Sequence, residues 1–581
     1  MNLRKRISNS KFKGIPLFKK SIDLVIVGLF LLSLGLRWLI PAQIVPNSPN
    51  DDYLGVMLAH NLLHGHWLGP WSPDILSKPP AYSFFLALAH FIPVDPTVIL
   101  HIAYLFVSYY FVFNLTSYLD KTSYFKVSFA RLAFLFFAFN PAMFAADFSR
   151  IYRISLNTIA VFLFFALLLK LINVLREIYL DGEGQGWRVV KFRRLAWIAV
   201  LLGATYALIV LTRVEGFWVL ITSIPLIFGI WGYSISRNEI HWKSRKKYVS
   251  GKILLKFTAI SFVTYLIPIG FVSAINYSVY GVPEIENYFT GNYARAINLW
   301  EGVSNGKSNL AFIPVSKGQR AAVYAVSPAA FSLKPTLDGP PNTGWKSFNC
   351  SATKVCDESG SWFSWELRSA AVINQHISNE VEFQSFFGRL ADQIASACKD
   401  HGLTCGNTGS APSAKALNDI PIHELIDTTI KAFASLFNVD QAENVGHLDN
   451  GQDPAELKIW HSTVHFKYLI VQDNYSNWKG MAQSISFLRN LYRSIIPILF
   501  IVAIFSLSLK RSTLLRILKW YALAIFGAML IFSAGLAVLE SSFGFGAPFS
   551  FYALPMQPLL LIFITVGIFV STNSKTISKS E

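Results

Sequence analysis

Residues 155–175 read SLNTIAVFLFFALLLKLINVL. A single charge, Lys170, interrupts a run long enough to cross a bilayer as a helix. Such a crossing takes about 20 mostly apolar residues, because lipid offers backbone N–H and C=O groups no partner outside the segment. Applied outward from this stretch, the same length picks out ten spans, near 22–40, 97–118, 130–147, 155–175, 195–212, 216–233, 254–275, 491–509, 517–539 and 552–571. The run from Phe84 to Ile92 is too short to span and reads as a helix lying at the interface. The first span is not a cleavable signal, since its core is long and no small-residue cleavage site follows it.

Composition agrees with the spans. The 581 residues are 53% hydrophobic and 15% charged, with a mean hydropathy of +0.41 and a net charge of +17. A soluble domain carries roughly 25% charged residues, so the chain is not disordered, and an ordinary cytosolic enzyme is argued against. The basic excess has a topological origin. With a cytoplasmic N-terminus, the tail and the loops 119–131, 176–194, 237–256 and 510–519 together with the C-terminal tail hold 28 Lys and Arg against six acids. The short loops of the opposite face hold only Lys78, Arg150, Arg153 and Arg213. The positive-inside rule then places both termini in the cytoplasm, and no nucleic-acid partner is needed to explain the charge. A bacterial inner membrane is the expected location.

These spans divide the chain into an N-terminal membrane module (1–275) whose first external loop covers 41–96, an external domain (276–490), and a C-terminal group of spans with a cytoplasmic tail (491–581). The external segment is rich in Gly, Pro, Ser and Asn and reads as a folded domain. It contains all four cysteines, most simply paired Cys350–Cys356 and Cys398–Cys405 in an oxidising compartment. Asn379–Ala397 and Ile422–Phe437 have amphipathic helical periodicity. Trp300, Trp345, Trp362, Trp365, Trp460 and Trp478 are residues that either stack on sugars or fill a core. The expected fold is an all-α polytopic membrane protein of about ten transmembrane helices, with a large external α or α+β domain inserted before the last three spans.

The first external loop carries the chemistry. Asp51 and Asp52 follow a turn-like Pro46-Asn47-Ser48-Pro49-Asn50. Carboxylates at a membrane surface can act as a general base or hold a divalent cation, or simply cap the helix Tyr53–Leu63. His60, His64 and His66 follow. The first two share a helix face at i,i+4, but that spacing without a glutamate is a weak metal signal. Lys78-Pro79-Pro80-Ala81-Tyr82 then presents a cation on a proline-stiffened backbone at headgroup level. This suits either a phosphate contact or a snorkelling lysine.

The acid pair Asp51-Asp52, the spaced Ala59, Leu62 and Gly65, and the run Lys78-Pro79-Pro80-Ala81-Tyr82 together resemble the first external loop of GT-C glycosyltransferases. More narrowly, they resemble the protein O-mannosyltransferase and aminoarabinose transferase branch. The motif match covers mainly residues 40–90, and the order of spans extends it to about residue 280. The resemblance implies a sugar donor linked to a polyprenyl phosphate in the bilayer and a glycan, lipid or protein acceptor. It makes Asp51 the base on the acceptor hydroxyl and Lys78 the cation facing the donor phosphate. Asp52 stands where the family has Glu. Asp147-Phe148-Ser149-Arg150 matches a Ser-Arg segment of the family, but Ser155 occupies the place of a second acid. Phe551-Tyr552-Ala553-Leu554-Pro555 resembles an Arg-Tyr…Pro segment with Phe551 in place of the arginine, so Arg150 or Arg213 inherits the phosphate contact beside Tyr552. Arg213 and Glu215 hold a turn or contact the phosphate. His60, Tyr82 and Glu215 are the substrate-binding candidates. A transporter or flippase for a lipid-linked saccharide, or a non-catalytic polysaccharide-binding membrane protein, is the competing reading. Few charges lie within the spans and no half is repeated with broken helices, which argues against transport.

Overall fold

The structure, a computed structural model, describes residues 23–40, 42–44, 49–117, 119, 124–180, 185–226, 251–310, 312–340, 343–406, 420–439, 454–465, 475–508, 513–543 and 549–572. Among these, regular structure is helical apart from two isolated β-bridges. Among the described residues, seven helices are long and apolar enough to cross a membrane: Pro96–Thr116, Arg153–Glu177, Phe192–Thr212, Leu255–Tyr280, Gln483–Ser508, Ile517–Ser541 and Leu554–Thr572. Tyr124–Ala138 and Pro141–Ser149 reach the length and apolarity of a span only together, bent by 45° at a short break. The bend falls at Asn140-Pro141, where the ring of Pro141 removes a backbone donor and the Asn140 side chain caps the next turn. Leu24–Trp38 and Val214–Leu226 are shorter apolar helices at the first and sixth expected spans. The protein is an integral membrane protein. The N-terminal basic tail, the 227–250 stretch and the C-terminal tail lie outside the described residues.

Helices within the bundle approach closely where side chains are small. A Cβ on Gly203 would overlap the Ser261 carbonyl oxygen, and one on Gly567 would come 2.5 Å from Ala503 Cβ. Small residues allow this backbone proximity in lipid, where packing drives association. Gly203→Leu is therefore expected to destabilise the bundle by about 1–3 kcal/mol. A lowered thermal midpoint in detergent checks this, and an unchanged midpoint would mean that the two helices do not cross there.

The segment between spans contributes to two cores. Tyr293, Trp300, Leu367, Phe383, Phe387 and their neighbours form a core of the inserted domain. The expected amphipathic helix over 379–397 is observed as Glu380–Lys399, and both disulfides pair as Cys350–Cys356 and Cys398–Cys405. Helix Ile422–Ala434 behaves differently. It packs on the membrane helices, with the Phe433 ring 6.0 Å from both Phe500 and Phe526, while the Leu436 carbonyl accepts from Gln557 Nε2 at 2.9 Å. Trp300 and Trp460 are buried core residues, whereas Trp345, Trp362 and Trp365 are half-buried. The Trp478 side chain lies outside the described residues.

The 41–96 stretch is not an open loop. Leu54, Leu58, Leu68, Ile75 and Leu76 form their own core with Tyr280 and Val282. Gly69 has φ +111°, and a Cβ there would overlap the Asn61 amide, so the turn needs glycine. The helix Ala81–Ala89 leaves Leu88 exposed, and Phe91 and Ile92 just after it are exposed as well. The inserted domain grips this stretch through a buried polar network. Arg368, fully buried, donates from Nε to the Pro73 carbonyl at 2.8 Å and from Nη1 to Asn287 Oδ1 at 2.8 Å. Glu380 accepts from Trp71 Nε1 at 2.8 Å and from Asn287 Nδ2 at 2.7 Å. The Asn287 N–H donates to the Leu76 carbonyl at 2.7 Å. A buried network satisfied in this way fixes one docking geometry, and it ends two residues before Lys78.

Candidate functional site

Asp51 and Asp52 lie in a single π-helical turn, Pro49–Tyr53, which runs into the helix Leu54–Leu63. Such turns are rare and aim side chains that a regular helix would not. The segment just before them is tied to the one after the bent span. The Gln43 N–H donates to the Ser149 carbonyl at 2.9 Å, and the Ile151 N–H donates to the Gln43 carbonyl at 2.8 Å. Arg37, buried at the end of the first span, donates to Ser149 Oγ at 2.6 Å and also to Thr97 Oγ1. These bonds set Arg150 opposite the two acids. Lys78 arrives from the other side, held by the Asp74–Ser77 turn before it and Pro79-Pro80 after it.

The side chains converge. Lys78 Nζ pairs with Asp51 Oδ1 and donates to the Asn50 carbonyl. Arg150 grips Asp52, with Nε 2.9 and 3.0 Å from its two oxygens and Nη2 2.7 Å from Oδ1, and its Nη2 lies 3.9 Å from Asp51 Oδ2. The Tyr152 hydroxyl donates to Asp51 Oδ1 at 3.3 Å, and Arg153 Nε donates to the Tyr152 hydroxyl oxygen at 3.3 Å. Three cations surround the Tyr152 ring, with Lys78 at 5.3 Å, Arg150 at 4.8 Å and Arg153 at 5.7 Å from its centroid. Phe551 stacks on the same ring at 5.6 Å and receives Arg150 at 5.2 Å. Cations over aromatic faces are held electrostatically while their N–H groups stay available.

Accessibility separates the two acids. The Asp51 side chain is 41% exposed, and that of Asp52 is 0% exposed. The packed surroundings of Asp51 act to raise its pKa, but Lys78 first and then Arg150 outweigh them and hold it at about 2. Asp51 is thus an ionised, reachable carboxylate, and Asp52 is the buried counter-ion that orients Arg150.

Other expected site residues fall at varied distances from this centre. Arg213 and Glu215 pair with each other at 3.2 Å, and Arg213 lies 5.7 Å from the Tyr552 ring. Arg153 links them to the centre through its 3.4 Å bond to the Thr212 carbonyl. Tyr82 is buried, its hydroxyl has no hydrogen-bond partner, and its ring contacts the space beside Gly55. His60 turns elsewhere. Its Nδ1 lies 3.1 Å from Thr463 Oγ1, and its ring lies 4.2 Å from that of His64 at a tilt of 44°, on the seam with helix Pro454–Thr463. That helix ends before His465, so His461 and His465 do not share a helix face. Asp147 is buried in Ala146–Ser149, within the field of Arg150.

Sequence reasoning passed over Tyr152, although an aromatic between Arg150 and Arg153 was a readable signal. It also missed Glu286, which no motif marks. A divalent cation at Asp51 and Asp52 would have to displace Lys78 and Arg150. Among the described residues no group of three or more His, Cys, Asp or Glu is placed to hold a metal ion. The donor set does not fit a metal.

No protein-family model matches the chain, and no curated protein matches it. A solved structure, ArnT from Cupriavidus metallidurans in the apo state, is similar over 94% of this chain and 77% of its own, at 12% identity and a TM-score of 0.32. Agreement at that level adds no weight to any residue assignment, which rests on the geometry above.

Proposed function

We propose that this protein is a GT-C type glycosyltransferase that moves a sugar from a polyprenyl-phosphate donor to an acceptor hydroxyl at the outer face of a bacterial inner membrane. The observation that carries this reading is the meeting of one exposed carboxylate, Asp51, with Lys78, Arg150 and Arg153 around a single aromatic ring. Glycosyl transfer needs both halves of that arrangement. The acceptor oxygen attacks the anomeric carbon and its proton passes to Asp51. The bond from that carbon to the phosphate oxygen breaks, and its electron pair stays on the lipid phosphate beside Lys78 and Arg150.

The pairing of Lys78 with Asp51 implies an order of events. A carboxylate held at about pKa 2 is a poor base. A donor phosphate that draws Lys78 toward itself removes the largest influence lowering that pKa, so Asp51 becomes basic once donor is bound. Donor binding therefore precedes activation of the acceptor. Asp52 serves by aiming Arg150, and Arg213 with Glu215 and Tyr552 borders the phosphate side. Acceptor recognition falls to the inserted domain, whose network grips the stretch leading to Lys78.

The test supplies the purified full chain in lipid nanodiscs with polyprenyl-phosphate sugars and measures release of polyprenyl phosphate. Mass analysis of envelope glycans and glycoproteins with and without the gene identifies the acceptor. If no lipid-linked sugar is consumed and no glycan changes mass, the reading fails.

A further inference from the structure

Glu286 follows the span Leu255–Tyr280 in a short stretch outside the membrane helices and is 1% exposed. Its Oε2 accepts the backbone N–H groups of Tyr288 at 2.7 Å and Phe289 at 3.0 Å. Its Oε1 is buried with no hydrogen-bond partner. A buried carboxyl oxygen left in this state is unfavourable, and such atoms call for a ligand or a functional reason.

Its neighbours place it at the site. Ile285 packs with Ala81 and Leu211, and the Asn287 N–H bonds the Leu76 carbonyl. Glu286 therefore sits between the stretch that carries Lys78 and the end of the helix that precedes Arg213. Glu215 and Arg153 lie within electrostatic reach of its carboxyl. Charged groups on the elements packed around it include Asp74, Lys78, Arg213, Arg368 and Glu380, of which Arg368 and Glu380 are bonded to Asn287, and Glu284 two residues before it also has a buried oxygen without a hydrogen-bond partner.

We propose that Glu286 is a ligand-binding residue of this site, whose free carboxyl oxygen donates a hydrogen bond to a phosphate oxygen of the lipid-phosphate ligand. The proposal rests on the glycosyltransferase reading for the identity of that ligand. A carboxyl group donates only when protonated. Burial raises Glu286, the backbone N–H groups of Phe289 and Tyr288 lower it, Glu215 raises it further, and the balance is about 7. In the neutral form Glu286 adds a donor without adding an anion to Asp51, Asp52 and Glu215. Once ionised, Glu286 faces the phosphate with a like charge.

The test measures binding of undecaprenyl phosphate to the full chain in nanodiscs at pH 6 and pH 8. Relative to Glu286→Gln, wild type is expected to lose about a further tenfold in affinity between pH 6 and pH 8, the change produced by one pKa unit of coupling. Glu286→Gln keeps a donor and stays neutral, so it should bind as tightly as wild type at pH 6 and show only the pH dependence of the ligand's own phosphate, whose second pKa is about 6. Glu286→Ala should bind weakly at both. A Glu286→Gln variant that keeps the wild-type pH dependence overturns the proposal. If Lys78→Gln still abolishes binding in that case, the glycosyltransferase reading survives it; if undecaprenyl phosphate binds wild type at neither pH, both fall. Folding has its own readout. A raised carboxyl pKa makes the folded state lose stability as pH rises from the unfolded value toward the folded one. Glu286→Gln should therefore match wild type in thermal midpoint at acid pH and exceed it at pH 8.

Discussion

Asp51→Asn is expected to slow sugar transfer severely while leaving the donor bound. The substitution keeps the shape of the side chain and removes the proton acceptor, so the loss falls on the chemical step. A positioned general base contributes about 10²–10⁴-fold, and the drop in kcat is expected in that range. Donor affinity should hold or improve, because the main partner of Lys78 loses its charge and the ammonium becomes free for phosphate. The Tyr152 hydroxyl still has an oxygen to bond. The measurement is a single-turnover transfer assay beside a donor-binding assay on the same folded preparation. Full transfer by a normally folded Asp51→Asn chain would remove Asp51 from the mechanism. Asp52→Asn should behave differently. Its target is the orientation of Arg150, so its defect should appear in donor affinity as well as in rate.

Lys78→Gln is the second large effect. Lys78 is mostly buried and is supplied by a stretch that the inserted domain and two prolines hold rigid. Removing a positioned charge that meets developing negative charge costs about 10²–10³-fold in rate. The loss should appear both in donor KM and in kcat, since the phosphate is present in the bound donor and gains charge on leaving. Asp51 would respond too. Lys78 is the strongest of the groups that lower its pKa, so in the variant that pKa rises toward the ordinary carboxylate value. The sign is clear: the wild-type carboxylate stays ionised down to about pH 2, and the variant carboxylate protonates at higher pH. Titration of Asp51 by carboxyl-selective NMR checks this without any substrate. Lys78→Arg restores charge but not the compact ammonium, and partial rescue is expected. An unchanged donor KM in Lys78→Gln would sink the phosphate assignment.

Much of the architecture was legible because it depends on local properties. A run such as 155–175 must be helical in lipid, since no other backbone partner exists there. The pairing of Cys350 with Cys356 and of Cys398 with Cys405 follows short sequence separations. The acid pair and Lys78 were legible as candidates because their residue types are unusual at a membrane surface, and the fold brings them together. His60 shows the limit of that logic. Its i,i+4 relation to His64 is real, but the helix face it shares turns toward Thr463, a residue 403 positions away. Helix Ile422–Ala434 shows the same limit, because periodicity marks an apolar face without saying what covers it, and here Phe500 and Phe526 of the membrane bundle cover part of it.

By itself, then, the amino-acid order determined which segments form long apolar helices, where the positive charge lies, and which residues of the first loop have unusual side chains, because hydropathy, length and side-chain type are carried by each segment alone. Only the tertiary structure decided that Tyr152 sits inside a ring of cations, that Asp52 is a buried counter-ion while Asp51 is reachable, and that Glu286 holds a buried oxygen without a hydrogen-bond partner within electrostatic reach of Arg153 and Glu215. Those facts depend on bringing residues near 51, 78, 150, 286 and 551 to one place, and that convergence is a property of how the helices pack, not of any one of them.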